Sequence, residues 1–236
     1  MSQSMRIIMS LLGKISDISN SKTLQLDLTG KTNSAYQECK QYCITLFEQN
    51  DASFDINYTD IFGRSFLIMA AIIDDIEIAN SILKKNPNLD HVCNSFHTAL
   101  IMAVKMKSVD MCKILITAGA DVNIIDNFKT TALVYAIKFG HEEIFRILIE
   151  AGAKLDLLYR FNDTVLHLSC RHQRLNFAIH LTKLMNHELI KCVNEYGKTA
   201  TEVWGVSIWG DQDLICNSEE KEAFVASISN YFSDVL

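Results

Sequence analysis

Four leucines recur at intervals of 33 residues: Leu67, Leu100, Leu133 and Leu166 close the blocks Ser65-Phe66-Leu67, Thr98-Ala99-Leu100, Thr131-Ala132-Leu133 and Thr164-Val165-Leu166. A fixed period of this length marks a stacked-repeat architecture, because each unit is too small to bury its apolar face alone and must do so against its neighbours. The register extends through the unit. Ala70, Ala103, Ala136 and Ser169 follow three places after each leucine, then a polar turn, then an apolar run. Met111-Cys112-Lys113-Ile114-Leu115-Ile116 matches Ile144-Phe145-Arg146-Ile147-Leu148-Ile149 position for position, and both runs lead to Ala-Gly-Ala, at 118–120 and 151–153. That glycine predicts a helix stop, since it takes the left-handed conformation that satisfies the last carbonyls without steric cost.

This pattern resembles the ankyrin repeat, whose first helix opens on Thr-Pro-Leu-His-x-Ala and whose period is 33. The resemblance covers about residues 35–205. It implies an all-α fold, an ankyrin-repeat solenoid of helix-turn-helix units with β-hairpin fingers projecting from the junctions. On that basis residues 1–34 are an N-terminal extension, 35–57 a half-repeat cap, 58–191 four repeats, and 192–236 a capping repeat with an amphipathic tail helix. Departures from the family pattern carry their own expectations. No repeat keeps the proline, and the turn glycine stands only at Gly63 and Gly197, with Phe96, Lys129 and Asn162 in its place. A positive φ inherited at those turns strains Phe96 and Lys129 by on the order of a kcal/mol each. The step from Thr164 to Thr199 is 35, which predicts two extra residues near 185–188.

Composition narrows the function classes. With 236 residues and 49% hydrophobic content, the chain can bury the core of one sizeable domain or two small ones. A net charge of −6 repels a phosphate backbone, so general nucleic-acid binding is not expected. The seven cysteines are scattered without a CxxC pair, which points to free thiols in a reducing, cytoplasmic compartment. Cys39 and Cys43 share a helix face but lack further ligands nearby, so neither a metal nor another cofactor is expected. The apolar run from Ile7 to Leu12 is too short for a membrane span and suits a packed helix with Ile15 on the same face, not a cleaved leader. A monomer is the expected state.

Catalysis lacks a constellation. His167, Cys170 and His172 lie close in sequence, but His167 falls on the histidine of the ankyrin motif, which implies a hydrogen-bonding role between fingers, and Cys170 falls on the motif's small alanine. No phosphate loop, HExxH or paired-carboxylate signature is present. The expectation is a non-enzymatic module that binds a protein or peptide through the concave groove and the fingers. The alternative is an enzyme or viral host-factor inhibitor with its activity in the non-repeat termini. The family's contact positions place Phe62, Ser95, Phe128 and Phe161 in one column and Ile73, Met106, Phe139 and His172 in a second. Arg160 stands beside the first, and Lys105, Lys138 and Arg171 form a basic line. Outward aromatics and methionine are the residue types that dominate interface hot spots, so an amphipathic or acidic peptide is the expected ligand.

Two further resemblances are more local. Leu115 to Asn123 is similar to ankyrin hairpins modified by an asparaginyl hydroxylase, which makes Asn123 a modification candidate. Glu219, Glu220 and Glu222, followed by small and apolar residues, resemble the C-terminal signal of effectors that intracellular bacteria export by type IV secretion. That implies action on a host protein in the host cytoplasm. The same segment carries Phe224, Ile228, Tyr231, Phe232 and Val235 at helical spacing, as a capping helix would.

Overall fold

A computed structural model describes the backbone of residues 31–48 and 54–203, together with residues 7, 8, 10, 12, 13, 219, 222, 223, 225 and 226. Most of the tail helix and export signal read over 218–236, and most of the 1–34 extension, thus lie outside the described residues. The chain forms two compact units, Met1–Asp126 and Asn127–Leu236.

Unit 1 contains α1 (Lys31–Glu48), α2 (Phe66–Ile73), α3 (Ile76–Leu83), α4 (Ala99–Lys105) and α5 (Val109–Thr117). Helix α2 packs on α3 and α4, while α3 packs on α1 and α5. Unit 2 contains α6 (Ala132–Phe139), α7 (Glu142–Glu150), α8 (Val165–Arg171), α9 (Leu175–Leu184), α10 (His187–Lys191) and a 3-10 turn at Ala200–Val203. Helix α8 lies against α6, α9 and that turn. The two extra residues near 185–188 are absorbed by α10, a one-turn helix capped by Asn186, whose Oδ1 accepts the Leu189 N–H at 2.8 Å.

The Ser/Thr of each repeated block is the N-cap of an inner helix. The hydroxyls of Ser65, Thr98, Thr131 and Thr164 accept the N–H three residues on, at 3.3, 3.2, 3.4 and 3.4 Å. Such a cap is worth about 1 kcal/mol and fixes where the helix begins. The leucine two residues later is then buried in every repeat. In the first block Phe66 occupies the proline position and anchors an aromatic cluster. Its ring lies 5.4 Å from Phe47, edge-on, and 5.7 Å from Phe54, stacked, with Tyr58 at 6.3 Å.

Left-handed backbone recurs in three registers, the third absent from the fourth repeat, with Phe161 (φ 63°) as an additional position beside Asn162. One register holds Gly63, Phe96, Lys129, Asn162 and Gly197, a second Asp74, Lys107, Gly140 and Gln173, and a third Asn86, Gly119 and Gly152, all with φ between 49° and 101°. Phe96 (φ 61°) and Lys129 (φ 58°) therefore carry the strain that the missing glycines imply. Asn and Asp tolerate this region, whereas Phe, Lys and Gln place Cβ too near a carbonyl. Glycine at Phe96, Lys107, Lys129 or Gln173 should each raise stability by about 0.5–1 kcal/mol, visible as a higher urea midpoint with an unchanged slope. Alanine at the same positions should give no such gain.

The first register sits in the reverse turns. Asp60 N–H donates to the Arg64 carbonyl at 3.1 Å and Gly63 N–H to the Asp60 carbonyl at 2.9 Å, and the same pair of bonds recurs at Cys93–His97, Tyr159–Asp163 and Asn194–Lys198. A three-residue loop of this kind ends on a left-handed residue. Among the described residues these loops are not flanked by strands: there is one isolated antiparallel bridge, Thr59 to Ser65. The projections are tight turns there, without the strand pairs that the resemblance implies.

Candidate interaction surfaces

In unit 1, neighbouring turns are tied through their backbones. Asn94 donates its N–H to the Phe62 carbonyl at 3.0 Å and its side-chain amide to Ile61 at 3.2 Å, while His91 Nε2 lies 2.7 Å from the Gly63 carbonyl. Asp60 Oδ1 accepts the N–H groups of Phe62 and Arg64 at 2.9 and 2.8 Å, which stiffens the tip. On this frame Ile61 is 86% exposed and Phe62 56% exposed, and the Arg64 guanidinium lies 4.8 Å from the Phe62 ring centre. Met106 is exposed at the end of α4, beside the half-buried Lys105. His97 lies 3.9 Å from Asp126, and burial followed by the Lys105 charge lowers its pKa against the pull of Asp126. Asn123 is partly exposed, and its N–H donates to Asp121 Oδ1 at 2.8 Å.

One expected contact residue of unit 1 is displaced from the surface. Ile73 is only 8% exposed. Helix α2 reads FLIMAAII, and all of its residues except Ile72 are buried, so it offers no polar face to turn toward solvent.

In unit 2, Phe128 (55%) and Phe139 (41%) are exposed, whereas Phe161 is half-buried, 5.5 Å from Tyr196. The exposed Arg160 sits 5.2 Å over the Phe161 ring, and the Phe161 carbonyl accepts the Glu195 N–H at 2.9 Å. Phe139 is held between Tyr135 at 6.0 Å and His141 at 5.7 Å, with the ammonium of the exposed Lys138 5.9 Å away.

Arg171 does not belong to a solvent-facing basic line. It is 6% exposed, and its Nε and Nη2 donate to Asp163 Oδ2 and Oδ1 at 2.7 and 3.3 Å. Asn194 Nδ2 donates to the same carboxylate at 2.8 Å, so three side chains from three segments close one buried polar network. A buried carboxylate recruits its countercharge inward, and a register argument treats Arg171 as equivalent to Lys138 without seeing that carboxylate.

His167 has the role implied by the motif. Its Nδ1 accepts the Thr164 N–H at 3.3 Å and lies 2.8 Å from Thr164 Oγ1, while Nε2 donates to the Lys198 carbonyl at 3.0 Å. An accepting Nδ1 and a donating Nε2 define the neutral ring, in keeping with burial lowering its pKa. His172 is half-buried, and burial with the charges of Lys138, Arg174 and Arg171 pushes its pKa down to about 4. Burial raises the thiols of Cys112, to about 12, and Cys170, so neither is an activated nucleophile. Among the described residues no group of three His, Cys, Asp or Glu side chains is placed to hold a metal ion, and no helix is long and apolar enough to cross a membrane.

Arg174 and Gly140 escaped the sequence reading. Arg174 stands in the register of Asp75 and Ser108, which cap outer helices with their side chains, and a cation where an acceptor belongs was the available signal.

Comparison with known proteins gives one family. The profile described as Ankyrin repeats (3 copies) matches residues 33–126, 67–158 and 114–189. No curated protein matches the sequence.

Proposed function

From the premise that the chain belongs to the ankyrin-repeat family, whose repeats are generally protein–protein interaction modules, we propose that it is a non-enzymatic module for an amphipathic or acidic segment of a partner protein. The observation that carries this reading is the exposure of Phe62, Met106, Phe128 and Phe139 at the turn tips and inner-helix ends, the Phe62 turn being fixed by hydrogen bonds to its neighbour. A pre-ordered aromatic contributes burial on contact without a large ordering cost, which is why such residues dominate binding energy. Lys105 and Lys138 stand beside Met106 and Phe139 and steer a negatively charged partner toward an otherwise acidic protein. On this reading residues 58–191 are four repeats, 35–57 a half-repeat cap and 192–236 a capping repeat with its tail, after an N-terminal extension over 1–34.

Unit 2 allows a direct test. The Phe128→Ala/Phe139→Ala variant is expected to keep the fold, since both side chains are exposed, and to weaken capture of a partner from a eukaryotic lysate at least tenfold, as quantified by mass spectrometry. Undiminished recovery of every captured protein would overturn the proposal.

A further inference from the structure

Among the described residues, one buried side-chain nitrogen or oxygen has no hydrogen-bond partner: Nε of Arg174. Buried donors are almost always paired, so this guanidinium asks for an explanation. Its Nη2 donates to the Lys138 carbonyl at 3.2 Å. Its central carbon lies where Gly140, at φ +73°, leaves room, and a Cβ added there would come within 3.0 Å of it. The half-buried cation is therefore seated against the end of α6.

That seat is unfavourable for a cation taken alone. Arg174 is the N-cap of the ten-residue helix α9 and makes no side-chain cap hydrogen bond. The helix dipole disfavours positive charge at an N-terminus. Lys138 and the half-buried His172 stand nearby, at the ends of α6 and α8. Two nearby carboxylates are engaged elsewhere: Asp163 by Arg171 and Asn194, and Glu142 by Asn176 at 3.2 Å.

An anion at this point meets what the cluster lacks. It supplies a countercharge for the Arg174 guanidinium and for Lys138, and negative charge at a helix N-terminus. We propose that Lys138, His172 and Arg174 form a seat for one anionic group on the partner segment, a side-chain carboxylate or a phosphate. This rests on the interaction-module reading and gives it a chemical specificity. Phe139, exposed beside Lys138, is the adjoining apolar contact, so the segment recognised pairs an acidic or phosphorylated residue with an apolar one.

Two small anions probe the seat without knowledge of the partner. Inorganic phosphate and glutarate are titrated into the labelled full chain at pH 7 and constant ionic strength, following the amides of Gly140 and Gln173 and the ring of His172 by NMR. Saturable shifts are expected, and the tighter of the two anions distinguishes phosphate from carboxylate recognition. Lys138→Ala and Arg174→Gln should each weaken binding about tenfold. Lys183→Ala, in a different groove lined by Phe145, Arg146 and His180, should leave it unchanged. Lys138 is exposed, so its variant remains decisive even if Arg174→Gln does not fold. Shifts that rise linearly without saturation, or an unaltered dissociation constant in Lys138→Ala, overturn the seat. Saturable anion binding with undiminished partner recovery by the Phe128→Ala/Phe139→Ala variant removes the interaction reading and leaves the seat. The converse pair of results removes the seat alone.

Discussion

Replacing Arg171 by methionine is expected to destabilise unit 2 by about 3–5 kcal/mol, seen as a large fall in the urea midpoint of that unit. Asp163 is fully buried, and the substitution leaves its carboxylate with the Asn194 amide as the remaining side-chain donor described for it. The loss arises from stranding a charge in a poorly solvating interior, not from the intrinsic worth of the ion pair. Asp163→Asn added to Arg171→Met should therefore recover much of it, because the amide oxygen still accepts from Asn194 while the charge is gone. A single variant as stable as the parent would mean that the carboxylate finds water, contrary to its burial.

The second large effect falls in unit 1. Phe66→Ala should cost about 3–5 kcal/mol, since it removes a fully buried ring that contacts Phe47, Phe54 and Tyr58 and leaves a cavity their rings can fill only in part. Phe66→Leu should cost clearly less. Ile61→Ala, at a position 86% exposed, should stay within about 0.5 kcal/mol of the parent. Denaturation followed by near-UV circular dichroism reads the change where these aromatics report.

The helices were legible because two local signals coincide in each repeat: a Ser or Thr that caps the inner helix, and a leucine two residues on that the cap forces inward. Left-handed turns at Phe96 and Lys129 were legible for a similar reason, since Gly63 and Gly197 mark their register. The matching conformation at Lys107 and Gln173 was not, because Gly140 alone represents that column and a lone glycine looks like an ordinary helix stop. Arg171 was misplaced for a different cause. Its acceptor lies eight residues earlier and the third member, Asn194, lies in another element, so only the fold brings them together. Ile73 shows the same limit, since an apolar residue in a contact register looks alike whether it faces a partner or the core.

Cys112 and Cys170 give each unit its own reporter. Both sulfurs are wholly shielded, one in each unit, and both hold their protons far more tightly than an exposed thiol. Alkylation at either site must wait for its surroundings to open, so under fast reclosing its rate measures the open population. Mass mapping of the two labelled peptides over time would yield two opening free energies from one unmodified molecule in the absence of denaturant.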